Sequence, residues 1–291
     1  MSVSRNTIIN WGLFIALSFI WGSSFILMKE GLKALTAYQV AALRIGSGGL
    51  VLLPAAVRHL KAVPSKKFGY IILSGLLGSF VPAFLYCIAE TNIDSSLAAF
   101  LNALTPISTI IIGVLFFKSK LPLQKVFGVL LGLSGMALLL LGNRSVNLEN
   151  LSFSSLVLIA TVCYSLNANI VNRFLADVGS TKIAAVSFSV LLIPCLIILF
   201  VTGFFQLSFS QANTIRATGA GILLGVGGTA IASIIFFQLL KRAGIIFSSL
   251  VTYGIPFVAL MWGIIAGENI TLTQIGGLVI ILIAVYIANK S

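Results

Sequence analysis

Charged residues are scarce in this chain of 291 residues: they make up 8% of it, whereas hydrophobic residues make up 59%. An ordinary soluble domain carries roughly 25% charged and about 45–50% apolar residues. The mean hydropathy of +1.13 indicates the same strongly apolar character. The composition therefore excludes an ordinary soluble domain and predicts a protein embedded in a lipid bilayer.

Histidine, cysteine and acidic residues are also few. The single histidine, His59, falls in a predicted basic loop, and no paired carboxylates lie near the middle of an apolar segment, so an enzyme is not expected. The three cysteines lie inside apolar segments without the spacing of metal ligands, which predicts packing residues, no metal site and no cofactor. Basic and aromatic residues do not alternate as on a nucleic-acid-binding surface, so no nucleic-acid partner is expected.

Long apolar runs are abundant instead. They are about 20 residues long, which is the length a helix needs to cross a hydrocarbon core of about 30 Å. They are too long and too uniformly apolar for the alternating strands of a membrane barrel. We predict an all-α integral membrane protein with ten transmembrane helices, which lie near 11–31, 38–57, 69–90, 97–117, 126–142, 153–173, 183–202, 218–240, 245–266 and 274–289.

The chain contains an internal duplication at a constant offset of 150 residues, in which Pro106 matches Pro256. Each copy holds five predicted spans. Because five is an odd number, the second copy must cross the membrane in the opposite direction to the first. We therefore predict two inverted five-helix repeats, at residues 1–142 and 150–291, which is an architecture typical of secondary transporters.

The placement of basic residues predicts the orientation of the chain in the membrane. Of the 18 lysines and arginines, thirteen fall on one side of the predicted spans and four on the other, while Arg44 lies inside the second span. Loops rich in lysine and arginine stay in the cytoplasm. We therefore expect a multi-pass protein with both termini in the cytoplasm.

Polar side chains recur on single faces of six predicted spans. In the fourth span, Asn102, Pro106 and Thr109 follow a spacing of i, i+4 and i+7, which places them on one helical face. Polar groups in a bilayer are costly unless they face partners or a wet cavity, so we predict a central cavity for a small-molecule substrate. Hydrogen bonds between helices are the alternative explanation. The candidate substrate-binding residues are Trp21, Ser24, Ser79, Tyr86, Asn102, Thr109, Asn167, Thr229, Ser233, Gln238, Thr252 and Tyr253.

Two prolines occupy matching positions inside spans. Pro106 and Pro256 each remove one backbone hydrogen bond from a helix, so both are predicted hinges. A static kink filled by neighbouring side chains is an equally good explanation.

A second group of residues carries charge near the ends of the spans. Arg44 with Glu30 or Glu90 is a candidate outer gate, and Arg173 is a candidate for the inner gate. Arg44 has two simpler explanations, because its long side chain can reach the membrane interface or pair with Glu30.

Several segments resemble one family of transporters. Trp21-Gly22-Ser23-Ser24-Phe25, followed by Lys29, resembles the first-span signature of the EamA-like group in the drug/metabolite transporter superfamily. Ala42-Leu43-Arg44 resembles the second-span arginine of that group. The segments from Ala98 to Pro106 and from Ser248 to Pro256 resemble parts of its two repeats. The resemblance covers essentially the whole chain.

The resemblance implies ten helices, a central cavity, a bacterial inner (plasma) membrane, and export or exchange of small metabolites, amino acids or drugs. The chain departs from the family pattern after the fourth span, where a glutamate like Glu268 is usual and Phe117-Lys118-Ser119-Lys120 stands instead. In this family a glutamate is usual in each repeat, so the absence of the first one places in doubt any function that requires the pair.

The most consistent hypothesis is a secondary transporter, an exporter or exchanger, that works by alternating access through a cavity between the repeats. A channel or a non-transporting membrane scaffold is the alternative. Aromatic and amide side chains favour a neutral or zwitterionic, partly apolar solute over a polyphosphate. The lipid bilayer is the other expected partner, and a monomer is expected while a dimer stays open.

Overall fold

The computed structural model describes residues 5–93, 95–119, 122–141, 151–265 and 271–289. These residues form helices joined by short connections, and no strand occurs among them. Residues 142–150, where the two predicted repeats meet, and Glu268 lie outside the described residues.

The helices are defined as follows, in chain order. They are α1 Arg5–Leu32, α2 Ala37–His59, α3 Ser65–Gly75, α4 Val81–Ala89, α5 Ser95–Asn102, α6 Thr105–Phe117, α7 Leu123–Leu141, α8 Leu151–Phe174, α9 Ser180–Val201, α10 Ala212–Gly225, α11 Ala232–Ser249, α12 Val251–Ile265 and α13 Leu272–Asn289. Two π-helical segments, Leu76–Phe80 and Val226–Ile231, connect α3 to α4 and α10 to α11 without a break in the helical path.

Seven helical stretches are long and apolar enough to cross a membrane, judged by length and composition. They are Arg5–Leu32, Ala37–Ala62, Ser65–Ala89, Leu97–Phe117, Ser152–Phe174, Ser180–Val201 and Ala212–Ser249. Three shorter apolar helices accompany them, at Leu123–Leu139, Val251–Trp262 and Leu272–Ala288. The predicted all-helical class is confirmed for the described part of the chain.

The start of α2 shows how local sequence sets a helix end. The Thr36 side chain accepts a hydrogen bond from the Gln39 backbone N–H at 3.3 Å, and the Gln39 side chain accepts one from the Thr36 N–H at 3.0 Å. This reciprocal pair satisfies two donors that a helix start leaves unpaired. The Gln39 amide also donates to the Thr202 carbonyl at 2.9 Å, which ties the start of α2 to the end of α9.

The predicted fourth span is interrupted by a turn. α5 ends at Asn102, and α6 begins at Thr105 with Pro106 in its first turn, where the missing proline N–H costs no helical hydrogen bond. The Thr105 hydroxyl donates to the Asn102 carbonyl at 2.6 Å. Pro106 therefore starts a helix, whereas Pro256 lies inside α12.

The turn between the predicted eighth and ninth spans lies within α11. Gly244 has φ +84° and ψ 169°, which breaks the helical path there. A positive φ is accessible to glycine without a steric cost, so glycine suits this turn. The five residues after Gly244 form the last part of α11, and Leu250 separates them from α12.

Two helix pairs are packed closely along their lengths: α2 along α9, and α7 along α13. Small residues allow the close approach. A Cβ atom at Gly135 would lie 2.8 Å from the Gly277 carbonyl oxygen, and one at Gly128 would lie 2.7 Å from the Ala288 Cβ. These glycines therefore serve packing within the monomer, as is common where lipid-exposed helices meet.

Candidate functional site

A cavity lies among α1, α2, α4, α5, α6, α8, α11, α12 and the two π-helical segments, and its empty space together with open solvent at its mouth is about 1020 Å³. Helices α7, α9 and α13 contribute no residue to its wall. Ten of the twelve candidate substrate-binding residues line it: Trp21, Ser24, Ser79, Tyr86, Asn102, Thr109, Asn167, Thr229, Ser233 and Thr252. Their role in binding a substrate stays a prediction.

Gln238 was predicted to bind substrate from a position near this face, but it does not line the cavity. The Gln238 side chain is exposed, and the neighbouring Phe237 lines the cavity. Gln238 follows Thr229 by nine residues, which is about two and a half turns of a helix, so the two side chains point in opposite directions.

Tyr253 was also predicted to face the cavity, and this placement is wrong. Tyr253 is 0% exposed, and its hydroxyl donates to the Val129 carbonyl on α7 at 2.8 Å. The phenol ring occupies the space beside Gly132, where a side chain would overlap it. The residue before it, Thr252, faces the cavity instead.

The cavity wall also includes side chains that the analysis of the sequence did not assign to it. Most of these side chains are apolar or aromatic. Each faces cavity residues on helices that lie far away in the sequence. These additional residues include Phe25, Ile45, Thr105, Phe237 and Ser248. An apolar side chain in an apolar span carries no local signal of this position, so only the packing of the helices identifies them.

Hydrogen bonds between side chains and backbone hold α8 against α5 and α6. Asn169 of α8 donates to the Thr109 carbonyl at 3.2 Å. The hydroxyls of Thr161 and Ser165 donate mainly to the Val157 and Thr161 carbonyls of their own helix, at 2.8 and 2.9 Å, and lie 3.5 and 3.2 Å from the Leu101 and Thr105 carbonyls. Hydrogen bonds within and between helices therefore account for this part of the polar pattern.

Two side chains that line the cavity are held by contacts with the π-helical segments or the helices next to them. The Trp21 indole N–H donates to the Gly228 carbonyl at 3.2 Å. The Asn167 side-chain oxygen accepts from the Ser74 hydroxyl at 2.6 Å. A π-helical turn leaves carbonyls without their usual partners, which is one reason such turns occur at functional sites.

The predicted outer gate lacks its ion pairs. Within the described residues Arg44 pairs with neither Glu30 nor Glu90; its Nε–H donates to the Thr229 hydroxyl at 2.8 Å. Glu30 forms an ion pair with Lys33 on the same helix end. Arg44 lies deeper than the gate hypothesis requires, because its side chain lines the cavity.

At the other end of the bundle, the connection between α8 and α9 is tied to two neighbours. Lys67 of α3 forms an ion pair with Asp177, and the ammonium of Lys241 donates to the Val178 carbonyl. The hydrogen bond from Lys67 lowers the pKa of the exposed Asp177 carboxyl. Arg173, the predicted inner gate residue, is exposed and takes part in neither contact.

The described part of the chain contains no candidate metal site. No group of three or more histidine, cysteine, aspartate or glutamate side chains is arranged to hold a metal ion there. Cys87, Cys163 and Cys195 are all buried and unbonded to one another.

A partly polar cavity among helices that are long and apolar enough to cross a membrane is typical of membrane transporters. The sequence profile of the EamA-like transporter family matches residues 10–141 and 152–290. The chain therefore belongs to the EamA-like transporter family, as its resemblance to that group predicted.

Individual relatives agree with this assignment. An uncharacterized transporter of Archaeoglobus fulgidus is 22% identical over 274 residues, which span 93% of this chain and 95% of the relative. The uncharacterized inner membrane transporter YedA of Escherichia coli strain K12 is 25% identical over 283 residues, which span 96% and 90% of the two chains. A solved crystal structure superposes with a TM-score of 0.72 and 19% identity over 99% of this chain and 97% of the other.

Proposed function

We propose that this protein is a secondary carrier, an exporter or exchanger, that moves a small organic solute through the central cavity by alternating access. The observation that carries the proposal is the cavity itself, because polar side chains from both halves of the chain converge inside an apolar bundle. In carriers of this kind the solute site lies between two repeats near the middle of the membrane.

Equivalent contacts in the two halves support an inverted repeat. A Cβ atom at Gly78 would lie 2.6 Å from Asn167 Cγ, and a Cβ atom at Gly228, which is the duplicate of Gly78, would lie 2.7 Å from Ser24 Oγ. Each glycine therefore receives a polar side chain from the first helix of the other half. This exchange of partners is the relation expected for two repeats around an axis in the membrane plane.

A second pair of contacts follows the same relation. A Cβ atom at Gly75 would lie 2.7 Å from Ser187 Cβ on α9, while one at Gly225 would overlap Ser47 Oγ on α2. The π-helical segments that follow these two glycines also begin 150 residues apart. We infer two repeats, at residues 1–142 and 150–291, each with five membrane crossings.

The seven long stretches and three shorter apolar helices together supply the ten crossings of this proposal. Five crossings per repeat reverse the direction of the second repeat, and ten return the chain to its starting side. The excess of basic residues then places both termini in the cytoplasm. The name of the Escherichia coli relative supports an inner (plasma) membrane location.

Alternating access requires that the two ends of the cavity open in turn. We propose Pro106, at the turn before α6, and Pro256, inside α12, as hinges, because the turn before α6 and the backbone hydrogen bond that Pro256 removes from α12 each ease a change in backbone angle there. The Lys67–Asp177 pair and the Lys241–Val178 contact are suitable closing contacts at one end. Arg44, Glu30 and Glu90 stay proposed elements of the opposite gate, although they do not pair with one another among the described residues.

Counterflow in proteoliposomes tests the proposal directly. Vesicles loaded with an unlabelled amino acid, nucleoside or cationic drug should transiently accumulate the labelled form, because a carrier exchanges bound solute and a channel does not. Ser233→Phe should reduce this flux, since Ser233 lines the cavity, while Ser155→Phe on the exposed side of α8 should not. Absence of saturable counterflow across the whole panel would contradict the proposal.

A further inference from the structure

The cavity contains one charged side chain among the described residues that line it, and this is Arg44. The residue is half-buried in α2, and its Nε–H donates to the Thr229 hydroxyl at 2.8 Å. Thr229 in turn donates its own proton to the Leu224 carbonyl at 3.2 Å. Thr229 therefore anchors one edge of the guanidinium and sets its direction.

The outer edge of the guanidinium has no partner in the described part of the chain. A guanidinium carries five N–H donors in a planar fork, and the contact with Thr229 uses one of them. No ion pair within the described ranges includes Arg44, and the wall of the cavity contributes no acidic side chain. The buried Glu90, one helical turn beyond Tyr86, interacts electrostatically with Arg44 and forms no ion pair with it. A cation in this position is costly to keep in a membrane, so it indicates a functional group that awaits an anion.

A second polar group lies in the cavity wall. Tyr86 is 4% exposed, and its buried hydroxyl makes no hydrogen bond of normal geometry within the described residues, although it interacts with the neighbouring Thr161 hydroxyl. The Thr161 hydroxyl gives its proton to the Val157 carbonyl at 2.8 Å, so Thr161 can only accept from Tyr86. The Tyr86 oxygen can then accept a hydrogen bond from a polar atom of a bound solute.

Aromatic rings surround these polar groups. The rings of Tyr86 and Tyr164 have centroids 6.1 Å apart, Phe25 lies 6.4 Å from Tyr86, and Trp21 lies 5.5 Å from Phe236. All five rings line the cavity. They form an apolar surface suited to a planar or branched hydrocarbon body.

We propose that the transported solute carries a single carboxylate, which binds the free edge of Arg44, and an apolar or aromatic body, which packs between the rings. This inference rests on the proposed carrier function and defines its substrate class. The planar fork of arginine matches a carboxylate with two parallel hydrogen bonds. One cation balances one negative charge, so a nucleoside polyphosphate, which needs several basic groups, does not fit this wall.

Equilibrium binding to the purified full-length protein in lipid nanodiscs tests the inference. The probes are matched pairs that differ in the acid group alone: phenylacetate with phenylacetamide, 4-methylvalerate with its amide, and L-phenylalanine with L-phenylalanine amide. At least one acid should bind about tenfold or more tightly than its amide, because a hydrogen bond to a charged group contributes roughly 1.5–3 kcal/mol.

Arg44→Gln should abolish this preference for the acid and leave the affinity for the amide within about twofold. Arg44→Lys should retain part of it, because the charge remains while the fork is lost. Arg58→Gln is the matched control, since it removes a positive charge from an exposed position on the same helix. A thermal unfolding scan of each variant shows whether the protein remains folded.

Two results would overturn the inference: no acid binds better than its amide, or the preference survives in a folded Arg44→Gln protein. Saturable counterflow of a neutral or cationic solute without any preference for acids would retain the carrier function and remove the role of Arg44. Loss of all counterflow with intact acid binding would instead contradict the carrier function alone.

Discussion

Two adjacent residues in α12 have different environments. Thr252 faces the cavity, whereas Tyr253 points into the interface with α7 and bonds to the Val129 carbonyl at 2.8 Å. Successive side chains on a helix point about 100° apart, so one step along the chain is enough to exchange the two environments. The tyrosine is therefore a packing residue of the bundle.

Tyr253→Phe should lower stability without changing solute affinity. The substitution leaves the Val129 carbonyl without its donor, which should cost about 0.6–1.5 kcal/mol. Thermal or denaturant unfolding in detergent measures the first effect, and binding in nanodiscs measures the second. Tyr164→Phe is the matched comparison, because Tyr164 lines the cavity and should change affinity. A weaker affinity in Tyr253→Phe would contradict the structural role.

At the level of single residues, helical periodicity predicts a face and no more. Asn102 and Thr109, seven residues apart, both line the cavity, although a turn separates α5 from α6 between them. Starting from Ser249, periodicity allowed either Thr252 at i+3 or Tyr253 at i+4, and only Thr252 lines the cavity, because Tyr253 packs against α7. The partner of Arg44 lies 185 residues away, so no local pattern in the sequence could identify Thr229.

Two of the three glycines of α10 lie in opposite environments. Gly225 lies against α2, where an added Cβ atom would overlap the Arg44 backbone carbonyl and the Ser47 hydroxyl. Gly219 is exposed, and nothing lies within 4 Å of the position of its Cβ atom. The first glycine sets the distance between two helices beside the cavity, and the second has no such constraint.

Gly225→Ala should destabilise the protein and reduce solute binding, because backbone atoms of α2 must move to accept the methyl group. Overpacking of this kind costs about 1–3 kcal/mol. Gly219→Ala should be neutral or stabilising by up to about 1 kcal/mol, since alanine favours helix more than glycine does. Melting temperatures and binding affinities of the two variants, measured side by side, check both expectations. Equal behaviour of the pair would show that α2 and α10 do not require this contact.

The π-helical segments were not predicted, and their physical origin explains why. A π-helical turn inserts one residue into a helix whose composition is otherwise unchanged, so hydropathy and periodicity continue across it. The interruption before Thr105 was partly predictable from the sequence, because a proline such as Pro106 can mark either a helix start or a kink. The choice between those two outcomes depends on the Thr105–Asn102 contact, which forms in the folded chain.

For the whole molecule, composition was sufficient to predict an all-helical membrane protein, since a lipid environment requires internal backbone hydrogen bonds. The pairing of α2 with α9 and of α7 with α13 was not predictable in this way. Lipid tails are as apolar as leucine, so hydrophobicity does not select which helices meet. Small residues such as Gly49 and Gly135 select the partner, and their effect depends on the shape of the opposing helix.

The proposed inverted arrangement makes a prediction about sidedness that depends on neither the solute nor the cavity. Asn92 and Arg242 are 150 residues apart, both are exposed, and they would occupy equivalent ends of the two proposed repeats. Opposite insertion of the repeats places Asn92 outside the cell and Arg242 in the cytoplasm. In a background in which the buried Cys87, Cys163 and Cys195 are replaced by alanine, Asn92→Cys should react with a membrane-impermeant thiol reagent in intact cells.

Arg242→Cys should react with the same reagent after the membrane is permeabilised and not before. Labelling of both variants in detergent provides the control that each thiol is accessible. Reaction of both cysteines from the same side of the membrane would show that the repeats are parallel. Parallel repeats would remove the exchange of contacts by which Gly78 and Gly228 each receive a side chain from the other half, and with it the structural basis for alternating access.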